Sequence, residues 1–377
     1  MIDKVLSILK SVLGNEAVII VGFSMLLIVV IFAYVVKKVT PVSSFLYSNA
    51  RIKARSNYLI SEKLFDELLG CKSLSELRSA LQETDYYEEL EKVGKLELKN
   101  FHKAVEKSFM GKTLELRELS PDKVKPVIDA YLMFMESKIV KTVYRAKFFK
   151  HSLSEELVFP VGNVDDVLLK HMLNAESLAD LNVVMSSTVY KDVFSEEYKT
   201  IEEFEVTIDE FVFNFFKGVV DKIKMYEGKF VVDILNKKID IFNILALLKF
   251  RIRGTEKESR VKCLVMNNSE LSGKFNELAQ EDSLKGFVDK CDKLPYHEAL
   301  NSALEKYEKD GSMSHFETEL FRFFKRFVLE QELYHSMGPI PLFCYLVRKD
   351  IEKRDLFIIS RGIEDRFPAE RIKEMIV

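Results

Sequence analysis

Three acidic residues, Glu136, Asp240 and Glu352, are each followed nine residues later by a base: Arg145, Lys249 and Arg361. Two of the acids carry Asn243 or Asp355 three residues on. Two of the bases have a second base two residues further, Lys147 and Arg251. On a continuous helix, eleven residues bring the chain back to nearly the same face. Asp240 and Arg251 then share a stripe with Asn243 near it, and Lys249 lies opposite. Eleven residues also rise roughly 16 Å, too far for a direct ion pair. The charges must therefore pair across helices or point into a shared cavity. In one reading they fix helix packing within each module of the fold. In the other, three modules present the same charges to one central partner. Arg51 and Lys53 form a further pair of the same series, so the candidate partner-binding set is Arg51, Lys53, Arg145, Lys147, Lys249, Arg251 and Arg361.

Patterns of catalysis do not develop. Gly111-Lys112-Thr113 contains the end of a phosphate-binding loop, but the position that needs glycine holds Glu106. The six histidines show no metal-binding spacing, and no G-x-S-x-G occurs. Cys71, Cys263, Cys291 and Cys344 are isolated, which indicates neither a zinc site nor a disulfide framework. Basic residues are balanced by acids to a net charge of −3, with no basic–aromatic ladder for nucleic acid. The expectation is a protein without enzymatic activity, cofactor, metal or small-molecule substrate.

The elements that position the charges also repeat. Ser73-Leu74-Ser75-Glu76-Leu77 leads to Thr84 and Tyr86; Ser177-Leu178-Ala179-Asp180-Leu181 leads to Thr188 and Tyr190; Ser283-Leu284-Lys285-Gly286-Phe287 leads to Leu294 and Tyr296. The first two copies of this string and of the acid pattern share one offset. Only 14 Gly and 8 Pro occur in 377 residues, too few for a turn-rich β chain. Helical periodicity dominates, as in Phe204, Ile208, Phe211 and Phe215. We therefore expect an all-α chain of three pseudo-repeated helical modules, at 41–150, 151–254 and 255–377.

Residues 1–40 differ. The stretch 17–36 reads AVIIVGFSMLLIVVIFAYVV, without a charge. As a helix it spans roughly 30 Å, the hydrocarbon thickness of a bilayer. Bases concentrate after it, at Lys37, Lys38, Arg51, Lys53 and Arg55, which predicts a single-pass anchor with the main domain in the cytoplasm.

Tyr47-Ser48-Asn49-Ala50-Arg51-Ile52-Lys53-Ala54-Arg55 resembles the opening of the C subunit of archaeal-type (A-type) and V-type rotary ATPases, equivalent to the d subunit of the eukaryotic enzyme. Asp240-Ile241-Phe242-Asn243-Ile244, with Lys249, Arg251 and Gly254, is similar to its central segment, and Gly338-Pro339 with Glu352 to Arg361 to its C-terminal one. The likeness runs over about residues 42 to 377. It implies a funnel of three helical modules around a central cavity. It implies an adapter that joins the D and F stalk subunits to the proteolipid ring and serves ATP-linked proton or sodium transport. The family usually lacks an N-terminal transmembrane helix. An adapter that turns with the ring cannot trail a helix outside it, which points residues 17–36 into the ring's lumen. The other reading, from a different class, is a membrane-anchored helical scaffold that recruits some other cytoplasmic partner.

Overall fold

A computed structural model describes residues 2–153, 158–252, 254, 257–262, 264–266, 269 and 271–377, with residues 2–18, 38, 57, 258 and 259 described by backbone path alone. Cys263 lies outside the described residues. Among the described residues all regular structure is helical, apart from one isolated bridge between Val161 and Val164.

Helix α1 spans Ile2–Ser43 and is followed by the short α2, Leu46–Arg55. From there the element order recurs. Three short helices, α3 (Glu62–Leu69), α4 (Leu74–Ala80) and α5 (Tyr87–Glu91), precede two long ones, α6 (Leu98–Leu119) and α7 (Lys125–Phe148). Next come α8 (Asp166–Asn174), α9 (Leu178–Met185) and α10 (Lys191–Phe194), then the long α11 (Ile201–Ile223) and α12 (Gly228–Ile252). Last come α13 (Lys257–Lys262), α14 (Phe275–Gln280), α15 (Leu284–Lys290) and α16 (His297–Asp310), the long α17 (Ser314–Tyr334) and α18 (Ile340–Glu364), and a terminal α19 (Ala369–Met375).

The repeated Ser-Leu string is a helix start. Ser73, Ser177 and Ser283 are the N-caps of α4, α9 and α15, and their hydroxyls accept from the N–H of Glu76, Asp180 and Gly286 at 3.2, 3.2 and 2.9 Å. Each cap satisfies an orphan donor at a helix end and is worth about 1 kcal/mol. The apolar residue after it, Leu77, Leu181 or Phe287, is wholly buried. Thr84 and Thr188 then accept from the N–H of Tyr86 and Tyr190, which turns the chain so that each tyrosine points inward. Tyr86, Tyr190 and Tyr296 are all buried.

Among the long helices, α7 packs on α11, α18 on α6, and α12 on α17. Pro126 and Pro341 sit in the first turns of α7 and α18, where a missing N–H costs nothing. The apolar stripe of α11 departs from expectation. Phe204 and Ile208 are buried, but the face continues through Val212 and Phe216, and Phe215 is exposed. A row of residues four apart is the ridge that fits a neighbouring helix groove, and here that neighbour is α7.

The two ends of the main domain meet. Leu356, Ile359 and Ile363 of α18, with Ile372 and Ile376, share one apolar cluster with Leu68, Leu77, Tyr86, Leu90 and Phe101. The apolar stretch of helix α1 contributes no described side chain to either core cluster. Its described side chains from 19 to 36 are none of them buried, although every one is apolar or small. A stretch of helix that is apolar all round must find cover in a core or a membrane, and the described side chains of this one are not covered by the fold.

Candidate functional site

The acids at the head of the repeated pattern are structural clamps. Glu352 accepts the Tyr86 hydroxyl at 2.8 Å, the Lys349 ammonium at 2.8 Å and the backbone N–H of Ile60. Asp240 accepts the Tyr296 hydroxyl at 2.7 Å and the Ser269 hydroxyl at 2.6 Å. Glu136 accepts from the Asn163 backbone at 2.8 Å and its side chain at 3.2 Å. Gly162 makes room for this: it has φ +57°, and a Cβ there would lie 2.5 Å from the Glu136 carboxylate. Tyr190 faces Glu136 in its turn, although Tyr190 Oη and Glu136 Oε1 stop short of hydrogen-bond geometry. Burial, then the adjoining carboxylate, holds both the Tyr86 and Tyr190 phenols well above their usual pKa. The acids thus fix packing, but between stretches of the chain and not within them. Glu136 and Asp240 each meet the tyrosine of the following stretch, and Glu352 reaches back to the first.

The bases divide into two classes. Lys147 donates to the Leu173 carbonyl at 2.7 Å, at the end of α8. Arg251 does the same for α14, donating to the carbonyls of Leu278 and of Glu281 at 2.8 Å, and it also donates to the Leu247 carbonyl of its own helix at 2.6 Å. Its guanidinium lies 4.3 Å from the Phe287 ring centre, and burial, then Arg260, brings its pKa down to about 10. Cations at helix C-termini stabilise the orphan carbonyls there, so these two are staples of the fold and poor probes of docking. Arg51 and Lys53 are exposed on α2 and do not line the cavity described next. That helix is held by Asn49, which donates to the Gly338 carbonyl at 3.0 Å, and by an ion pair of Arg55 with Glu115. Lys249 and Arg361 face a cavity, and Arg145, one turn beyond the cavity-lining Lys141, is exposed and paired with Glu205.

This cavity has a volume of about 870 Å³ and is walled mainly by α7, α12 and α18. Its centre is an ionic cluster. Asp350 receives Lys353 at 2.7 Å and also Lys238; burial pushes its carboxyl up, but Lys238, Lys353 and Lys138 outweigh this and hold it well below the usual range. Lys138 is ringed by protein, yet its side chain is 55% exposed because it stands in the open space of the cavity. The Lys353 charge, and then burial, lowers its pKa to about 8. Further out, Lys141 pairs with Asp209 at 2.7 Å and Arg354 with Glu317 at 3.0 Å. The repeated motifs do not include these groups. A signal for them is nonetheless present: Lys138, Lys141 and Arg145, like Lys238, Phe242, Leu245 and Lys249, follow the three-and-four spacing of one helical face.

Asp355, buried in α18 beside the C-terminal residue, behaves differently. It accepts from the Arg354 guanidinium at 2.9 Å and the Val377 backbone at 3.2 Å, but burial outweighs both and pushes its pKa up to about 7. Between about pH 4 and 7 the folded chain holds a proton there that the unfolded chain has lost. This contribution to stability, on the order of 2–4 kcal/mol, is therefore full below about pH 4, falls as pH rises from about 4 to 7 and is gone above that. D355N is expected to remove that slope. Urea titrations at pH 5 and pH 8 check it: wild type should lose stability relative to D355N between the two, and equal differences would refute the assignment.

Gly111-Lys112-Thr113 lies in the middle of α6, where Thr113 donates back to the Phe109 carbonyl and Lys112 pairs with Glu115 and Asp85. No loop of free amides exists there to cradle a phosphate. The profile of the ATP synthase (C/AC39) subunit family matches residues 48–375. The chain belongs to this family. Its relatives include the C subunit of the A-type ATP synthase of Methanocaldococcus jannaschii, 27% identical over 92% of this chain and 90% of its own. That of Pyrococcus furiosus is 26% identical over 90% of this chain and 91% of its own. As a C/AC39 subunit the chain is part of a membrane-associated rotary ATPase. The structural pairs fall on the segments that carried the likeness. Asn49 of the opening segment bonds Gly338 of the C-terminal one, and Asn243 of the central one exchanges two hydrogen bonds with the backbone of Val265, at 2.8 and 3.0 Å.

Proposed function

We propose that this C/AC39 chain is the central-stalk adapter of a V/A-type rotary ATPase, a non-catalytic component that couples the D and F shaft to the proteolipid ring for ATP-linked proton or sodium transport. The observation that carries the reading is the cavity of about 870 Å³ between α7, α12 and α18, whose volume corresponds to roughly two turns of one helix and whose walls are residues that brace one another. Torque transmission needs rigid walls. The Tyr–acid clamps and the Asp350 cluster cross from helix to helix and resist their sliding apart. In this reading the three stretches 41–150, 151–254 and 255–377 are the modules of a funnel around that cavity.

Helix α1 adds a membrane anchor, with the main domain on the cytoplasmic side. Its apolar length fits a bilayer, and the foot from which it rises carries exposed Leu46 and Tyr47. For an adapter that rotates with a ring, the lumen is the position that avoids collision with the stator.

Affinity purification through a tag on this chain, from native membranes in mild detergent, tests both parts. The expected eluate contains the D and F stalk subunits and the proteolipid, together with the catalytic A and B subunits, and a density map of it places α1 within the ring. Recovery of the chain with none of these components would end the adapter reading; α1 outside the ring would end the lumen assignment.

A further inference from the structure

Seven Lys or Arg residues line the cavity against three Asp or Glu. Each of the three acids is already engaged: Asp209 with Lys141, Glu317 with Arg354, and Asp350 with Lys238 and Lys353. What remains is positive. Among the described residues, Lys249 has no ion-pair partner. Lys138 reaches only Glu106, at 3.4 Å, and shares it with Lys353. Arg361 pairs with its own neighbour Asp365, four residues along the same helix, and its side chain is 62% exposed. The depression of Lys138 by Lys353 is the mark of a site with a surplus of cations. Between these charges the wall is aromatic and aliphatic, and Phe242 stands half exposed in it. An apolar wall with cations in excess of the carboxylates that meet them fits a protein surface that is itself apolar with carboxylates on it, whereas a bare phosphate would leave the aromatics wet.

We propose that the cavity is a socket that reads acid: the element it takes is the helical end of a protein shaft bearing Asp or Glu side chains, held by Lys138, Lys249 and Arg361. This rests on the adapter reading and names the chemistry by which the socket chooses its occupant. Complementary charge gives register and encounter rate more than raw affinity, and it suits a joint that must seat in one orientation. The three cations come from α7, α12 and α18, so one acidic tip engages all three walls together.

The test uses the full chain in detergent and the purified D–F pair as probe, with binding followed between 50 and 300 mM salt. Wild type is expected to weaken about tenfold or more over that range, since exposed charges are screened. Lys249→Glu with Arg361→Glu is expected to weaken binding about 100-fold at 50 mM salt, because like charges then face each other. Lys249→Arg should bind as wild type, and circular dichroism should show every variant helical. If D–F binds with an affinity that neither salt nor the charge reversal alters, the acid-reading proposal falls and the adapter reading stands. If wild type does not bind D–F under any salt, the adapter reading falls and this proposal with it.

Discussion

Glu352→Ala is expected to cost the chain about 3–5 kcal/mol of stability, the range seen when one partner of a buried ionic network is removed. The side chain is 5% exposed, and three donors converge on it. Truncation leaves the Ile60 N–H and the Tyr86 hydroxyl without an acceptor, and Lys349, itself 1% exposed, with only Asp85 at 3.6 Å. An orphaned buried donor costs about 1–3 kcal/mol, more if charged. The location raises the cost further. Glu352 ties α18 to the first short helices, so its loss opens the seam where the two ends of the main domain meet. Chemical denaturation measures the loss, and hydrogen exchange should locate it in residues 60–105. Tyr86→Phe alone should cost about 1 kcal/mol, and the double variant should cost less than the sum, because the hydroxyl has nothing left to bind once the carboxylate is gone. Glu136→Ala, whose tyrosine contact is not closed, should cost less than Glu352→Ala. Full additivity of Tyr86→Phe and Glu352→Ala, or exchange protection unchanged at the seam, would sink this account.

Much of this architecture is legible in the sequence. The all-α class follows from composition and periodicity, and the shared offset of the two repeated strings has a physical cause: the tyrosine that ends one string lies against the acid that opens the other pattern. What spacing alone cannot supply is the pairing. Tyr86 sits 266 residues from Glu352, and nothing local distinguishes that partner from Glu136, which lies nearer in the chain. The bases show the same limit more sharply. Two residues on a helix are roughly 200° apart, so Lys249 and Arg251 cannot face one partner together. Their opposite placement follows from helix geometry and holds in the fold, whereas their grouping as two partner-facing bases does not. Lys249 looks into the cavity and Arg251 staples α14. The ionic cluster around Asp350 is hidden for a different reason. Lys138, Lys238 and Lys353 each look like one more solvated lysine on a long helix, and only the approach of α7, α12 and α18 turns them into a site.

Removing residues 1–40 is expected to move the chain, expressed alone, from the membrane fraction to the soluble one, with the main domain still folded. Two observations make this a clean deletion. The described side chains of α1 between 19 and 36 are not buried by any part of the fold, so their removal takes no atoms from the described core. Helix α2, where the main domain begins, is anchored independently by Asn49 on Gly338, by the Ser48 hydroxyl on the Leu119 carbonyl and by Arg55 with Glu115. The driving force to be lost is large. Residues 17–36 contain fourteen Leu, Ile, Phe or Val. At about −0.3 to −0.6 kcal/mol for each such residue at the helix centre, insertion is favoured by roughly 4–8 kcal/mol, a partition ratio on the order of several hundred or more. A milder variant separates apolar drive from mere length: Ile28→Lys with Ile31→Lys keeps the helix but adds about 5–7 kcal/mol at the bilayer centre, enough to cancel most of that gain. Sedimentation after carbonate extraction reads the result, and the melting transition of the soluble product reports on the fold. A truncated chain that still pellets with membranes would show that another surface, with the exposed Leu46 and Tyr47 as first suspects, carries the attachment. A truncated chain that fails to melt cooperatively would show instead that α1 supports the main domain, against the absence of any buried face among its described side chains.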